Sequence, residues 1–324
     1  MPTAFVTGGS GFVGGSLIER LARDGWSVRA LARSDRAADA VRVRGAEPVR
    51  GELADLSALV AGMEGADITF HAAAKVEDFG PWHEFVAANV EGTRNVLRAC
   101  RAAAVGRAVH VSTEAVLMHG QPLVHVDETY PLALRSKAPY SRSKAMAEQV
   151  VLEEGRGALE AMIVRPRFVW GRGDTTLLPV LVEGTRSGAF RWVGGGRHLT
   201  STTHVENTVE GLLCAAEHGR GGRAYFVTDG DPLPFRDFVG ELIATQGVTP
   251  PEGSVPTAVA RALAATGETA WKLLPLGGAP PLTRFASWVA SQECTIDDTR
   301  ARSELGYAPV VTREAGMREL RDAV

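Results

Sequence analysis

Short apolar runs alternate with amphipathic stretches along the first half of the chain, and the two periodicities separate strands from helices. Residues 4–7, 27–32, 68–74 and 108–111 read as buried strands. Between them, 15–23, 56–60 and 85–104 carry apolar positions three and four apart. In the last of these, Val90, Thr93, Val96, Leu97 and Cys100 share one face. A strand that is followed by a helix pairs in parallel with the next strand, and the crossover helices cover both faces of the sheet. A helix over 140–153 and a strand over 161–164 continue the alternation as far as Arg165-Pro166. After that the pattern loosens, with Gly194-Gly195-Gly196 as one turn, and the residues from 229 onward read as short helices punctuated by Pro232, Pro234, Pro250, Pro251, Pro256, Pro275, Pro280 and Pro281.

Two later segments return to the first unit: 203–216, helical after His204-Val205, and the short strand 223–227. The expected fold is α/β: a doubly wound parallel sheet with a smaller, mostly helical C-terminal region. The sheet unit takes residues 1–165 with 199–228, and the second region takes 166–198 and 229–324. The Ala-rich stretch 255–276 reads as a lid over an apolar pocket, as core packing or as a surface helix touching lipid, with lid or core favoured.

Gly8, Gly11 and Gly14 lie between the first strand and the first helix. Glycine there takes a tight turn and lets a diphosphate approach the backbone, while the helix start, with Phe12 and Val13, offers unpaired N–H groups and its positive dipole end. A dinucleotide site is the expectation. A strand-end carboxylate would bind the ribose hydroxyl pair and repel a phosphate, and the second strand ends instead on Ala32. Arg33, backed by Arg36, is placed to clamp a phosphate, so NADP is favoured over NAD.

Tyr140 and Lys144 are four residues apart on a predicted helix and project from one face. The chain holds only four Tyr, so such a pair arises by chance in about one chain in twenty of this composition. Moving a hydride to or from a carbonyl carbon requires a proton to arrive at, or leave, the oxygen. A phenol, with a pKa of about 10, serves as a base near neutrality only if its anion is favoured by about 4 kcal/mol, and a neighbouring ammonium is expected to supply much of that. Ser112 and Thr113 end the 108–111 strand, where either hydroxyl is placed to orient the substrate oxygen.

These residues resemble the extended branch of the short-chain dehydrogenase/reductases, the Rossmann-fold superfamily that also contains nucleotide-sugar epimerases and dehydratases, over nearly the whole chain. His71-Ala72-Ala73-Ala74, Asn89-Val90-Glu91-Gly92-Thr93 and Arg165-Pro166 with Val169-Trp170-Gly171 carry the likeness beyond the glycines and the Tyr-x-x-x-Lys pair. The resemblance implies that Thr113, Tyr140 and Lys144 are catalytic. It further implies that Gly8, Gly11, Phe12, Val13, Arg33, Glu52, Leu53, Ala72, Ala73, Lys144 and Pro166 contact the cofactor. Glu52-Leu53 stands where Asp-Leu is usual, and Asn89 either carries protons through Lys144 or serves as a structural amide.

Within that branch, Pro81-Trp82 and the segments 111–117, 191–207 and 222–230 look most like the 3β-hydroxysteroid dehydrogenase-like group. That implies a ketone or secondary alcohol on a bulky apolar skeleton, contacted by Thr113, Leu117, Tyr140 and Trp170. Met118, Leu177, Leu178, Phe190 and Trp192 equally suit a cavity wall or an ordinary core. A nucleotide-sugar epimerase or dehydratase with tightly bound NAD is the alternative, and a non-enzymatic dinucleotide sensor would need none of the proton-transfer residues. The family implies a homodimer.

The net charge of −3 and the absence of a basic footprint argue against nucleic acid as a partner. Cys100, Cys214 and Cys294 suggest no disulfide framework and no metal site. Without an apolar run long enough for a membrane span, or a recognisable leader, the expected location is the cytoplasm.

Overall fold

The computed structural model describes residues 1–274 and 276–323; Pro275, one of the prolines noted above, lies outside them. The first half winds as β1 (Thr3–Thr7), α1 (Phe12–Arg23), β2 (Ser27–Ala32), α2 (Asp35–Val43), β3 (Glu47–Arg50), α3 (Leu56–Met63), β4 (Ile68–His71), α4 (Trp82–Phe85), α5 (Gly92–Ala102) and β5 (Arg107–Val111). Then follow β6 (Leu123–Val126), α6 (Pro139–Glu154), β7 (Glu160–Pro166), β8 (Val169–Trp170), α7 (Leu178–Arg186), β9 (Trp192–Val193), β10 (Leu199–Thr200), β11 (Thr203–His204), α8 (Val205–His218) and β12 (Ala224–Val227). The chain closes with β13 (Leu233–Pro234), α9 (Phe235–Ala244), β14 (Ser254–Val255), α10 (Thr257–Leu273), α11 (Arg284–Ser291), β15 (Cys294–Ile296), α12 (Thr299–Leu305) and α13 (Arg313–Asp322).

Seven strands form the main sheet in the order β12-β7-β5-β4-β1-β2-β3, every neighbouring pair parallel. Alternation along β1 sorts its side chains between two cores. Ala4 and Val6 pack with Leu17, Ile18 and Leu21 of α1 and Val209 and Leu212 of α8. Phe5 packs on the other face with Leu59 and Met63 of α3, Val96, Leu97 and Cys100 of α5, and Val150 and Val151 of α6. The helices therefore cover both faces, as the alternation predicted.

β3 and α2 are among the elements that escape the periodicity. β3 has the sequence Glu-Pro-Val-Arg and no apolar run, because it is an edge strand paired only with β2; an edge also tolerates Pro48. α2 is short and charged, and is set by its N-cap, where Ser34 accepts a hydrogen bond of 3.2 Å from the Ala37 N–H. The strand expected to reach 74 stops at His71, although the Ala72 N–H still donates to the Thr7 carbonyl at 3.1 Å. The helix expected over 85–104 starts at Trp82 and passes through a π-helical stretch, Val86–Glu91, before α5.

The C-terminal region holds a second sheet as well as helices. Its order is β13-β10-β15-β6, and β6 comes from the first half of the chain. α10 buries only Ala260, Ala264 and Glu268, leaving Val259, Leu263 and Leu273 exposed. It packs against α11 as a wall rather than as core.

Candidate active site

At the first crossover the chain leaves β1 through Gly8, whose φ of +74° suits glycine, and the Gly11 N–H donates to the Gly8 carbonyl at 3.0 Å. A Cβ on Gly8 would lie 2.6 Å from backbone atoms of Ala72 and Ala73, and one on Gly14 would lie 2.3 Å from the Gly8 oxygen. These contacts bring Gly8, Ala72 and Ala73 together at one end of the sheet. Gly11 is the N-cap of α1, without a side-chain cap and with no acidic residue in the first turn, so the N–H groups of Phe12 and Val13 begin the helix without a local anion. A dinucleotide diphosphate fits this cradle.

Arg33 and Arg36 are exposed just beyond β2, and neither pairs with a carboxylate among the described residues. Asp35, between them, pairs with Arg50 at 3.3 Å. Glu52 is exposed. Leu53 packs its side chain against Gly92, and its carbonyl accepts from Asn95 at 3.0 Å. Pro166 is buried at the end of β7 opposite Val227.

The second cluster lies where β5 ends against α6. Lys144 is buried, and its Nζ donates to the Val111 carbonyl at 2.8 Å and to His110 Nε2 at 3.2 Å. For His110 to accept, it must be neutral with the proton on Nδ1. Burial and the nearby ammonium hold its pKa well below the ordinary value, and they take the adjacent His71 to about 3. Burial also lowers Lys144, to about 8, while Glu148 opposes the shift.

The two hydroxyls at the end of β5 have different partners. Ser112 donates to the buried carboxylate of Glu148, which Arg165 grips with bonds of 2.9, 3.1 and 2.5 Å. Thr113, one residue on, donates to Glu114 Oε2 at 2.8 Å and caps the following turn by accepting from the Ala115 N–H at 3.2 Å. Glu114 is itself buried and paired with buried Arg167 at 2.6 Å.

Tyr140 is half-buried on the first turn of α6, edge-on to Phe285 with ring centroids 5.5 Å apart. Its pKa departs from expectation. Burial first, and then the Glu114 carboxylate, raise it above the ordinary phenol value, while contact with the Thr113 hydroxyl pulls the other way. Lys144 is not among the groups that move it. Among the protein's own groups, burial and the Glu114 carboxylate thus oppose the acidification expected from Lys144.

A model of the 3-beta hydroxysteroid dehydrogenase/isomerase family matches residues 5–257. The chain belongs to that family. It is 48% identical over 319 residues to the 4-hydroxy-2-methyl-3-oxo-4-farnesyl-3,4-dihydroquinoline-1-oxide ketoreductase of Stigmatella aurantiaca, a match covering 98% of this chain and 96% of that one. It is 38% identical over 327 residues to the 2-alkyl-3-oxoalkanoate reductase of Stenotrophomonas maltophilia, covering 98% and 97%. The crystal structure of gox2253 superposes with a TM-score of 0.80 at 29% identity, covering 100% of this chain and 99% of that one. This family member is an oxidoreductase of the short-chain dehydrogenase/reductase type, with that superfamily's Rossmann fold.

Leu117 and Trp170, expected against the substrate, are both packed into apolar clusters of this dehydrogenase. Leu117 is fully buried in a cluster with Met118, Val126 and Trp288, against which Tyr140 and Phe285 pack. Trp170 is also fully buried, edge-on to His204 and Phe238, and its indole N–H donates to Asp229 at 2.8 Å. Asn89 is buried and fully hydrogen-bonded. Its NH2 donates to the Lys75 carbonyl at 3.0 Å and to Ser143 at 2.8 Å, and its oxygen accepts from the Lys75 N–H at 2.7 Å.

Sequence reading missed the Glu114–Arg167 and Glu148–Arg165 pairs. Their partners are 53 and 17 residues apart, so no local spacing signals them.

Proposed function

We propose that this dehydrogenase reduces a ketone on a bulky apolar skeleton, with Tyr140 as the proton donor. The observation that carries the reading is the placement of the Tyr140 phenol beside the Thr113 hydroxyl at the end of β5, with Lys144 one turn further along α6, which sets a proton donor and an orienting hydroxyl at one point. Two relatives of nearly full-length match are named as reductases of oxo compounds, which supports the same direction.

Gly8, Gly11, Phe12 and Val13 would hold the diphosphate of a nicotinamide dinucleotide, Glu52, Leu53, Ala72, Ala73 and Pro166 would border it, and Arg33 would favour NADP over NAD by gripping a 2′-phosphate. When bound, the reduced cofactor supplies the hydride. The residues of the chain do the rest. Thr113 and Tyr140 orient the carbonyl oxygen, Tyr140 passes its proton to that oxygen as the alcohol forms, and Lys144, fixed by Val111 and His110, has a third N–H for a ribose hydroxyl. Substrate contact falls to Thr113 and Tyr140, with Leu117 behind them as packing.

The dinucleotide unit is taken as residues 1–165 with 199–228, and the substrate-facing region as 166–198 with 229–324. A homodimer through the α5 and α6 faces is the proposed assembly, and sedimentation would test it. No helix of the described residues is long and apolar enough to cross a membrane.

The test is a ketone screen with NADPH and NADH followed at the nicotinamide absorbance, run with Tyr140→Phe in parallel. The substitution should lower kcat by ~10²–10⁴-fold and leave dinucleotide affinity near normal. Retained turnover would remove Tyr140 from the mechanism. Turnover of a nucleotide sugar with copurified NAD and no net reduction would favour the epimerase alternative instead.

A further inference from the structure

Exposed apolar side chains gather on one element. Among the described residues thirteen large hydrophobic side chains are exposed, and five of them, Val259, Leu263, Leu273, Leu274 and Leu276, belong to α10 and the segment just after it. Single exposed leucines are ordinary on a folded protein, whereas a file of them along one helix is not. Val259, Leu263, Thr266, Ala270 and Leu273 follow one another at spacings of four, three, four and three, which lines them up on one face of α10. Ala260, Ala264 and Glu268 are spaced by four and are buried, and α10 packs against α11. At 3.6 residues per turn these two stripes point to opposite sides of the helix. Leu273 is 78% exposed and Leu263 59%, so the fold leaves the outer stripe open.

The unpaired charges beside this stripe are cations. From Gly253 to Thr283 only three side chains carry charge, Arg261, Glu268 and Lys272. Glu268 is buried and taken by Arg284, so both exposed charges on α10 are positive. Arg261 and Lys272 are eleven residues apart, about three helical turns, and lie together on one flank of the apolar stripe. There they share a concave surface with Arg135, Lys137 and Arg142 from the loop into α6 and its first turn. None of these five pairs with a carboxylate among the described residues, although the whole chain has a net charge of −3. Asp78, also on this side, is held by Thr283. Two tryptophans complete the surface: Trp271 donates its indole N–H to the Gly277 carbonyl at 3.2 Å, and Trp82 lies under Arg142 at 4.4 Å.

We propose that α10 and the segment after it form a docking surface for an anionic lipid bilayer: the leucine stripe enters the headgroup boundary while Arg135, Lys137, Arg142, Arg261 and Lys272 meet the lipid phosphates. The helix lies on the membrane and does not cross it, being seventeen residues long with three of them charged. Charge complementarity selects this occupant over a second copy of the chain, which would bring the same cations to the contact with no anion to meet them. Apolar burial and phosphate pairing are each weak on so small a surface, and an anionic leaflet supplies both at once. The surface is independent of the reaction proposed above.

Co-sedimentation with vesicles tests this without catalysis. The protein should bind vesicles of equimolar dioleoylphosphatidylglycerol and dioleoylphosphatidylcholine ~10-fold or more tightly than vesicles of the phosphatidylcholine alone. Leu263→Gln/Leu273→Gln should weaken binding to the mixed vesicles ~10-fold or more by removing the apolar stripe. Arg261→Gln/Lys272→Gln should weaken it by a similar factor and remove most of the preference for the anionic lipid. All four positions are exposed and Gln is a good helix former, so both variants should fold, which a melting curve checks. Equal binding to the two vesicles, binding to neither, or binding that either folded variant keeps in full overturns the proposal. So does a wild-type dimer without vesicle binding that Leu263→Gln/Leu273→Gln converts to a monomer in sedimentation velocity, since that result assigns the stripe to a second copy of the chain.

Discussion

Tyr140 and Lys144 show how far a pair of residues can be read from spacing. Four residues apart on a helix they share a face, yet the ammonium is drawn to Val111 and His110 while the phenol faces Thr113 and the Glu114 charge. Lys144 carries a testable pH signature. In the unfolded chain its amine titrates near the ordinary lysine value of about 10.4; in the folded protein burial brings it to about 8. Between those values the unfolded chain binds more protons, so the stability of the wild type relative to Lys144→Met should rise with pH across that window. Denaturant titrations at pH 7 and pH 10 measure it, and a flat difference would refute the assignment. A second prediction concerns Ala32. Replacing it with Asp sets a carboxylate at the end of β2 beside Arg33, and the ratio of NADPH to NADH affinity should fall ~10-fold or more through repulsion of the 2′-phosphate and pairing with the arginine. An unchanged ratio would dismiss the Arg33 clamp.

At the level of elements, α6 is the scaffold of the site. Its first two turns carry Tyr140 and Lys144, and the next holds Glu148 against Arg165 of β7 and Ser112 at the end of β5. Glu148 is fully buried, so removing its partner leaves a charge without compensation. Arg165→Met should therefore cost ~3–5 kcal/mol in denaturant unfolding, with activity falling because Thr113 follows Ser112 directly. A loss below about 1 kcal/mol would show that water reaches Glu148. This pair was not legible in the sequence, whereas the glycine turn, β1 and α1 were, because each is local. β3 was missed for the opposite reason, since an edge strand needs no apolar run.

Across the whole molecule, the two regions divide the work between a regular sheet and a looser wall. The sheet presents Gly8, Ala72, Ala73 and Thr113 from the ends of parallel strands, while α10 and α11 pack on each other in the C-terminal region.

The sequence by itself determined the doubly wound sheet, the glycine turn and the Tyr140–Lys144 spacing, because strand and helix periods, tight turns and i,i+4 spacing are all short-range properties of a chain. The tertiary structure alone decided which charges surround those residues. Glu114 meets Arg167, and Arg135 faces Arg284, only after segments far apart in sequence have packed. Whether the phenol holds or releases its proton depends on that packing, since burial and field are properties of the assembled site.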